Sequence, residues 1–295
     1  MKEIFKKYWS NSYSILEWQW MKYSLSFIWI ASIAKILLLQ QTISYPRSIW
    51  RWINHDWIQL PLVKVMVFIA AAFALWQYIR EKDMKRSLTV ITLVSILVFS
   101  LSDSYGYFDR YDLMSCVWIA QWVAYVLLSP EKHDIPQMRI QFSVQAVVGV
   151  YFLAGINKLV SSGWTWGLST EAFALQVMKG NMVDYAQDGS IGALHSATYL
   201  SQIVLSYPVL FSALLSLSLF LELACVVVLF SKKLRIIFGL CFLGMHIGIA
   251  IFLKIHLLST VPIAMFFLLN PMYLIAEFIV NVRTKLIRCF IQLGL

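Results

Sequence analysis

Charged residues are scarce in this sequence. Asp, Glu, Lys and Arg together make up 13% of its 295 residues, whereas a soluble domain contains roughly 25%. Apolar residues make up 60%, compared with about 45–50% in a soluble domain. This composition excludes an ordinary soluble domain and predicts an all-α protein, a polytopic bundle of transmembrane helices.

The short motifs that identify several enzyme classes are also absent. The four cysteines, Cys116, Cys225, Cys241 and Cys289, form no CxxC pair, so neither a redox motif nor a zinc site is indicated. The sequence contains no H-E-x-x-H, no phosphate-binding glycine loop and no G-x-S-x-G, which are the signatures of metallopeptidases, nucleotide-binding proteins and hydrolases. We therefore expect free thiols and no metal.

Acidic residues are fewer than basic ones, 15 compared with 24, and the formal net charge is +9. The basic residues lie between apolar runs and form no stripe with interleaved aromatic residues, so they favour membrane topology over nucleic-acid binding. With the N-terminus inside, fifteen Lys and Arg fall in cytoplasmic segments and five in outer ones, namely Arg47, Arg51, Arg110, Lys179 and Lys254. The excess of positive charge inside predicts a multi-pass protein of the cell membrane with both termini cytoplasmic.

The apolar runs predict about eight spans, because a span needs about 20 mostly apolar residues. The predicted bounds are Met21–Ile43, Pro61–Tyr78, Ser87–Ser102, Leu113–Leu128, Ile140–Leu159, Pro208–Phe230, Leu234–Leu253 and His256–Leu269, the last reaching about Val280 if the helix continues past Pro271. The connection from Val160 to Tyr207 is then extracytoplasmic, and we expect short helices in this long loop. Residues 1–295 are interpreted as one domain.

Lys158 is one of four ionisable residues inside the predicted spans, with Lys35, Glu222 and His246. Such residues are costly to bury in a membrane and are commonly functional. Tyr151, Ala154 and Gly155 share a helix face with Lys158, and the small residues among them leave room beside the amine. One interpretation is a desolvated amine that acts as a base. The other is a lysine that snorkels to the outer surface.

Glu222 and His246 lie in the sixth and seventh predicted spans. We expect Glu222 to be protonated or paired, and a purely structural pair with Lys35 or His246 is one interpretation. His246 is either a hydrogen bond between helices or an acid, base or substrate donor. Gly239, two turns earlier on the same face, is expected to clear space beside it.

Three stretches carry a resemblance to a known family. They are YFLAGINKL followed by GWTWG at residues 151–167, LFLELACVV around Glu222, and GLCFLGMHIGIAI around His246. Together they resemble the vitamin K-dependent γ-carboxylase-like membrane family, whose bacterial members are called HTTM proteins. The size of the chain resembles the compact bacterial branch, which includes proteins of the sporulation-delaying-protein-B type.

This resemblance implies a catalytic site and a cofactor. It places the catalytic lysine at Lys158, with Glu222 and His246 as further catalytic residues, and it implies a reduced quinone of the vitamin K or menaquinol type. The candidate pocket residues are Tyr151, Gly155, Asn157, Trp164, Trp166, Asp109 and Arg110. Asp109 and Arg110 belong to an acidic and aromatic connection that is alternatively a hydrated loop.

Two functions are consistent with the sequence. The first is an integral membrane enzyme that uses Lys158 as a base on a quinone or a secreted peptide, in a pocket that opens to the outer face. The second is a non-enzymatic membrane factor for the maturation, export or immunity of a secreted antimicrobial peptide. The expected partners are the lipid bilayer and, in either case, a small secreted peptide with its maturation proteins.

Overall fold

The fold is given by a computed structural model that describes residues 13–39, 50, 52, 56–104, 112–128, 135–189, 191–255 and 260–292. Its helices are α1 (Ile15–Leu39), α2 (Asp56–Gln59), α3 (Pro61–Ile79), α4 (Met84–Ser104), α5 (Asp112–Leu127), α6 (Ile135–Ser162), α7 (Thr170–Asp188), α8 (Ile191–Ser206), α9 (Pro208–Ala224), α10 (Lys232–Leu253), α11 (Thr260–Leu268) and α12 (Pro271–Gln292). Two 3₁₀ segments, Gly163–Leu168 and Cys225–Phe230, follow α6 and α9. The described residues contain no β-strand, which confirms the all-helical class.

Six helical segments of the described chain are long and apolar enough to cross a membrane. They are Ile15–Leu38, Pro61–Ile79, Met84–Ser104, Pro136–Leu168, Pro208–Phe230 and Lys232–Leu253. The pair α11 and α12 brings the number to seven if its 49° bend lies within one span, whereas Leu113–Leu127 is apolar but shorter. A helical, multi-pass bundle is thus confirmed, and the count of eight stays a prediction.

The helix boundaries follow from proline, glycine and backbone geometry. Proline occupies the first turn of α3 and of α9, where the missing N–H costs no intrahelical bond. Gly163 and Gly189 have φ values of 63° and 65°, which L side chains rarely adopt. Gly163 therefore lets the chain pass from α6 into the 3₁₀ segment, and Gly189 ends α7 with its N–H bonded to the Tyr185 carbonyl.

Helix α1 contributes large side chains to the main apolar core. Its inner face places Met21, Leu25, Trp29 and Ile33 at helical spacing, and all four are buried in the main apolar core. The indole of Trp29 donates to Ser95 Oγ of α4 at 2.7 Å. By contrast, only four of the 19 residues of α3 are buried, as expected for a helix whose outer face meets lipid.

A buried group of charges joins the first helix to the last part of the chain. Glu17, near the start of α1, accepts hydrogen bonds from Lys232 Nζ at 2.6 Å and from Arg235 at 3.2 Å. Asn270, at the break between α11 and α12, donates to the Glu17 carbonyl at 3.0 Å. Both cations belong to the fifteen Lys and Arg that the sequence assigns to cytoplasmic segments, yet both are buried because Glu17 compensates their charge.

We expect Glu17→Gln to destabilise the fold strongly, because two buried cations then lose the carboxylate to which both are bonded. Removing one member of a buried ion pair costs roughly 3–5 kcal/mol. The measurement is the free energy of unfolding in detergent micelles. Asp83→Asn is the control, since it removes an exposed pair with Arg86 at 3.7 Å, worth about 0–1 kcal/mol. Equal effects of the two substitutions would contradict a structural role for Glu17.

Candidate functional site

Lys158 lies one turn before the end of α6, and its amine is directed at a buried carboxylate. Nζ donates to Glu222 Oε1 of α9 at 2.7 Å, and the two side chains are 25% and 5% exposed. The same nitrogen lies 4.4 Å from the centroid of the Trp166 ring, in the 3₁₀ segment. A carboxylate and an aromatic face thus both contact the amine, which is not the geometry of a lysine extended to the membrane surface.

Glycine permits this contact by bringing α6 and α9 together. A Cβ added to Gly155 would lie 3.1 Å from the Cβ of Glu222 and 3.1 Å from the side chain of Leu223. Gly167, after the turn into the 3₁₀ segment, lies so close to Ser216 that a side chain would overlap it. The close approach of the two helices places Glu222 within reach of a lysine only one turn beyond Gly155.

A second polar pair lies beside the first. Tyr151, on the same face of α6, has its hydroxyl 2.6 Å from Nε2 of His246 on α10. The Tyr151 ring stacks on Phe242, with centroids 4.1 Å apart and an interplanar angle of 8°. Lys158 lies within electrostatic range of His246, and Glu222 within that of Tyr151. The four side chains therefore form one site among α6, α9 and α10.

Two polar atoms of this site have no hydrogen-bond partner within the described part of the chain. They are Oε2 of Glu222 and Nδ1 of His246, and both atoms are buried. The residues themselves are only 4% and 8% exposed. A buried polar atom without a partner costs about 1–3 kcal/mol. Both atoms are therefore available to bind a polar ligand or to exchange a proton.

Cys225 adjoins the site, although sequence reasoning treated it only as a buried thiol. Its Sγ donates to the carbonyl of Glu222 at 2.9 Å and to that of Val148 at 3.4 Å. The signal in the sequence was its position three residues after Glu222 within the same predicted span, Pro208–Phe230. Sequence reasoning could not find the contact with Val148, because it depends on how α6 packs against α9.

Other candidate residues lie elsewhere. Asn157 and Trp164 are exposed, with Trp164 80% accessible, because they project from other faces of α6 and its 3₁₀ extension. Lys35 is exposed on α1, so the expected pair between Lys35 and Glu222 is wrong, and Lys158 takes that place. Asp109 and Arg110 lie outside the described residues.

Gly239 serves helix packing and not the site. A Cβ at this position would lie 2.8 Å from the side chain of Leu269. The glycine therefore admits the segment at the end of α11, which corrects the expectation that it clears space beside His246.

Comparison with protein families, curated proteins and solved structures finds no match. The described residues contain no group of three His, Cys, Asp or Glu side chains placed to hold a metal ion.

We expect Gly155→Ala to destabilise the protein, because the new methyl group meets Glu222 and Leu223 and separates α6 from α9. Overpacking of this kind costs about 1–3 kcal/mol. Gly149→Ala on the same helix is the matched control, since no heavy atom lies within 4 Å of a Cβ there, and the better helix propensity of alanine should raise stability by up to about 1 kcal/mol. Unfolding midpoints in detergent measure both, and an equal gain for both variants would argue against the close contact.

Proposed function

We propose that this chain is an integral membrane enzyme that transfers protons at the site formed by Lys158, Glu222, Tyr151 and His246. The observation that carries the proposal is the bond between the Lys158 amine and the Glu222 carboxylate inside an apolar bundle. A base and an acid that touch in such surroundings are suited to exchange a proton. The resemblance to the γ-carboxylase-like family supports the same role for Lys158.

The pair gives Lys158 a route to its basic form. In an apolar site two opposite charges keep only part of the stability that water would give them. Transfer of the ammonium proton to Glu222 leaves a neutral amine beside a neutral carboxylic acid, and it removes both charges. Lys158 then acts as the base, and Glu222 holds the proton until it is released.

The two remaining polar atoms would position the substrate. Oε2 of Glu222 accepts a hydrogen bond from a substrate hydroxyl, and Nδ1 of His246 donates or accepts according to its tautomer. The stacked rings of Phe242 and Tyr151 lie beside His246 and form an apolar, aromatic wall. Tyr151 holds the His246 ring in one orientation through its hydroxyl.

These polar and aromatic groups fit a reduced quinone of the menaquinol type. Such a molecule has two hydroxyl groups on a flat apolar ring, and the site has two unpartnered polar atoms beside stacked aromatic rings. When bound, a reduced quinone would supply a weakly acidic hydroxyl proton and two electrons. Glu222 and His246 are the residues that would hold its hydroxyl groups, and Lys158 would remove the proton. A secreted peptide that reaches the site from outside is the other substrate class.

The proposed topology brings this site toward the outer face of the cell membrane. It counts eight spans, with α5 and the bent pair α11 and α12 as the fourth and the eighth. Both termini are then cytoplasmic, and α7 and α8 form the extracytoplasmic cover. The support is the excess of Lys and Arg in segments assigned to the inside.

Cysteine labelling tests the topology. In a background whose four cysteines are changed to alanine, we expect His195→Cys to react in intact cells with a thiol reagent that does not cross membranes. Arg86→Cys should react only after permeabilisation, because the connection between α3 and α4 lies inside. Both positions are exposed, so burial cannot prevent labelling. Reaction of both, or of Arg86→Cys alone, in intact cells would refute the topology.

We expect Lys158→Met to lower activity by about 10²–10⁴-fold, the usual contribution of a general base, while the protein still inserts and folds. The measurement is the oxidation of a reduced menaquinone analogue by oxygen, followed by absorbance with purified protein in lipid nanodiscs. Lys158→Arg should not restore activity, because a guanidinium stays protonated. Lys179→Met is the matched control, since it removes an exposed lysine from α7. Full activity in a folded Lys158→Met protein would end the catalytic proposal.

One observation favours the second candidate, a non-enzymatic membrane factor. Glu222 and the Trp166 ring together compensate the charge of Lys158 within the bundle, as a structural ion pair requires. A double variant, Lys158→Met with Glu222→Met, replaces that pair with apolar side chains, which is often neutral or stabilising. If cells that carry it still mature, export or resist their antimicrobial peptide, the pair is structural and the non-enzymatic role is favoured.

A further inference from the structure

A buried arginine far from this site contacts a group of aromatic and amide side chains. Arg139, near the start of α6, is 3% exposed. Its guanidinium lies 4.4 Å from the ring centroid of Trp18 on α1 and 4.9 Å from that of Tyr78 on α3. It donates to Oε1 of Gln121 on α5 at 3.0 Å. Side chains from three helices, α1, α3 and α5, thus contact one cation on α6.

Four N–H donors in this group form no hydrogen bond within the described part of the chain. They are Nε of Arg139, Nε2 of Gln121 and Nε1 of Trp118 and of Trp18, and all four atoms are buried. The indole of Trp18 also interacts with the Glu81 carboxylate. Trp118 lies one turn before Gln121 on α5, and its ring meets Tyr78 edge to face with centroids 5.0 Å apart. The unsatisfied groups around this arginine are therefore all donors, and none is an acceptor.

The hydrogen bonds determine the orientation of the Gln121 amide. Its Oε1 accepts from Tyr78 Oη at 2.7 Å and from Arg139 at 3.0 Å. The reversed orientation would set the amide NH₂ against the guanidinium, which has donors only. Nε2 of Gln121 is therefore a true donor that needs an acceptor.

The charges near Arg139 are not balanced within the described residues. No carboxylate there lies within ion-pair distance of Arg139. Glu81 interacts with it electrostatically but is bonded to Lys22 at 2.7 Å. Burial acts to raise the pKa of Glu81, but the hydrogen bond and charge of Lys22, the charge of Arg139 and the indole of Trp18 together outweigh it and lower that pKa. Among the described residues, the buried guanidinium of Arg139 thus has no carboxylate bonded to it.

We infer that Arg139, Gln121 and Trp118 bind one small inorganic anion, of which chloride is the abundant example. An anion supplies both missing features, since it accepts from N–H donors and compensates a buried cation. A lipid phosphate or an organic acid is too large for a group in which Arg139, Gln121 and Trp118 are nearly or fully buried. This inference does not depend on the proposed function.

Thermal unfolding in a detergent that carries no charge tests the inference. Sodium chloride or bromide is exchanged for sodium gluconate at constant ionic strength, so that only the nature of the anion changes. We expect the halides to raise the unfolding midpoint by several degrees with a saturable dependence, because a ligand that binds only the folded state stabilises it. Crystals grown in bromide should show an anomalous peak beside Arg139.

Two variants locate the effect. Arg139→Gln should lose the halide dependence, whereas Arg80→Gln should keep it, because Arg80 lies over the Trp76 ring at 4.7 Å as an arginine at the end of α3 outside the cluster. If Arg139→Gln does not fold, Gln121→Glu replaces it as the test. That variant places a carboxylate beside the guanidinium, and it should be as stable in gluconate as the natural protein is in chloride, with no halide dependence.

Three results would overturn the inference. The first is equal stability of the natural protein in halide and gluconate, which would mean that the donors need no anion. The second is equal halide stabilisation of the natural protein and of Arg139→Gln. The third is a Gln121→Glu protein that keeps the full halide dependence.

Discussion

The bond of Glu17 to Lys232 and Arg235 is the interaction on which the arrangement of the helices depends. Two cations next to one another at the start of a membrane helix cannot be buried unless an anion compensates them. Glu17 supplies that charge from the first helix of the chain. Because Asn270 also donates to the Glu17 carbonyl, α1, α10 and the break before α12 meet at one point.

The need to compensate a buried cation also shapes the candidate site, but there it leaves polar atoms without a partner among the described residues. Lys158 and Glu222 also compensate one another, but they lie beside Tyr151 and His246 and leave two buried polar atoms without a partner. In the Glu17 group both carboxylate oxygens accept a hydrogen bond, whereas Glu222 uses one of two. That difference separates a charge group that holds helices together from one that can also bind a ligand.

Close helix contacts make these polar groups possible. Gly155 and Gly167 let α6 and its extension approach α9, and Gly180 on α7 approaches the carbonyl of Leu253 near the end of α10. Asn181 then donates to the Phe252 carbonyl at 2.7 Å, which satisfies a backbone group at a helix end. Helix α7 is thereby attached to α10, one of the three helices that form the site.

Composition and periodicity by themselves determined the helical membrane class and the approximate positions of the spans, because apolar runs of sufficient length have few other stable structures. They also identified Lys158, Glu222 and His246, since ionisable residues stand out against an apolar background. Tyr151 and Gly155 followed from helical spacing. These inferences use information that is local in the chain.

Only the tertiary structure decided which charges meet. Lys35 was an equally reasonable partner for Glu222, and the choice of Lys158 depends on the 3.1 Å approach at Gly155. The contact between residue 17 and residues 232 and 235, and the contacts of Arg139 with Trp18 and Gln121, join segments far apart in the chain. Sequence spacing carries no information on such pairs, because they depend on which faces of which helices pack together, and that is settled by the free energy of the whole bundle.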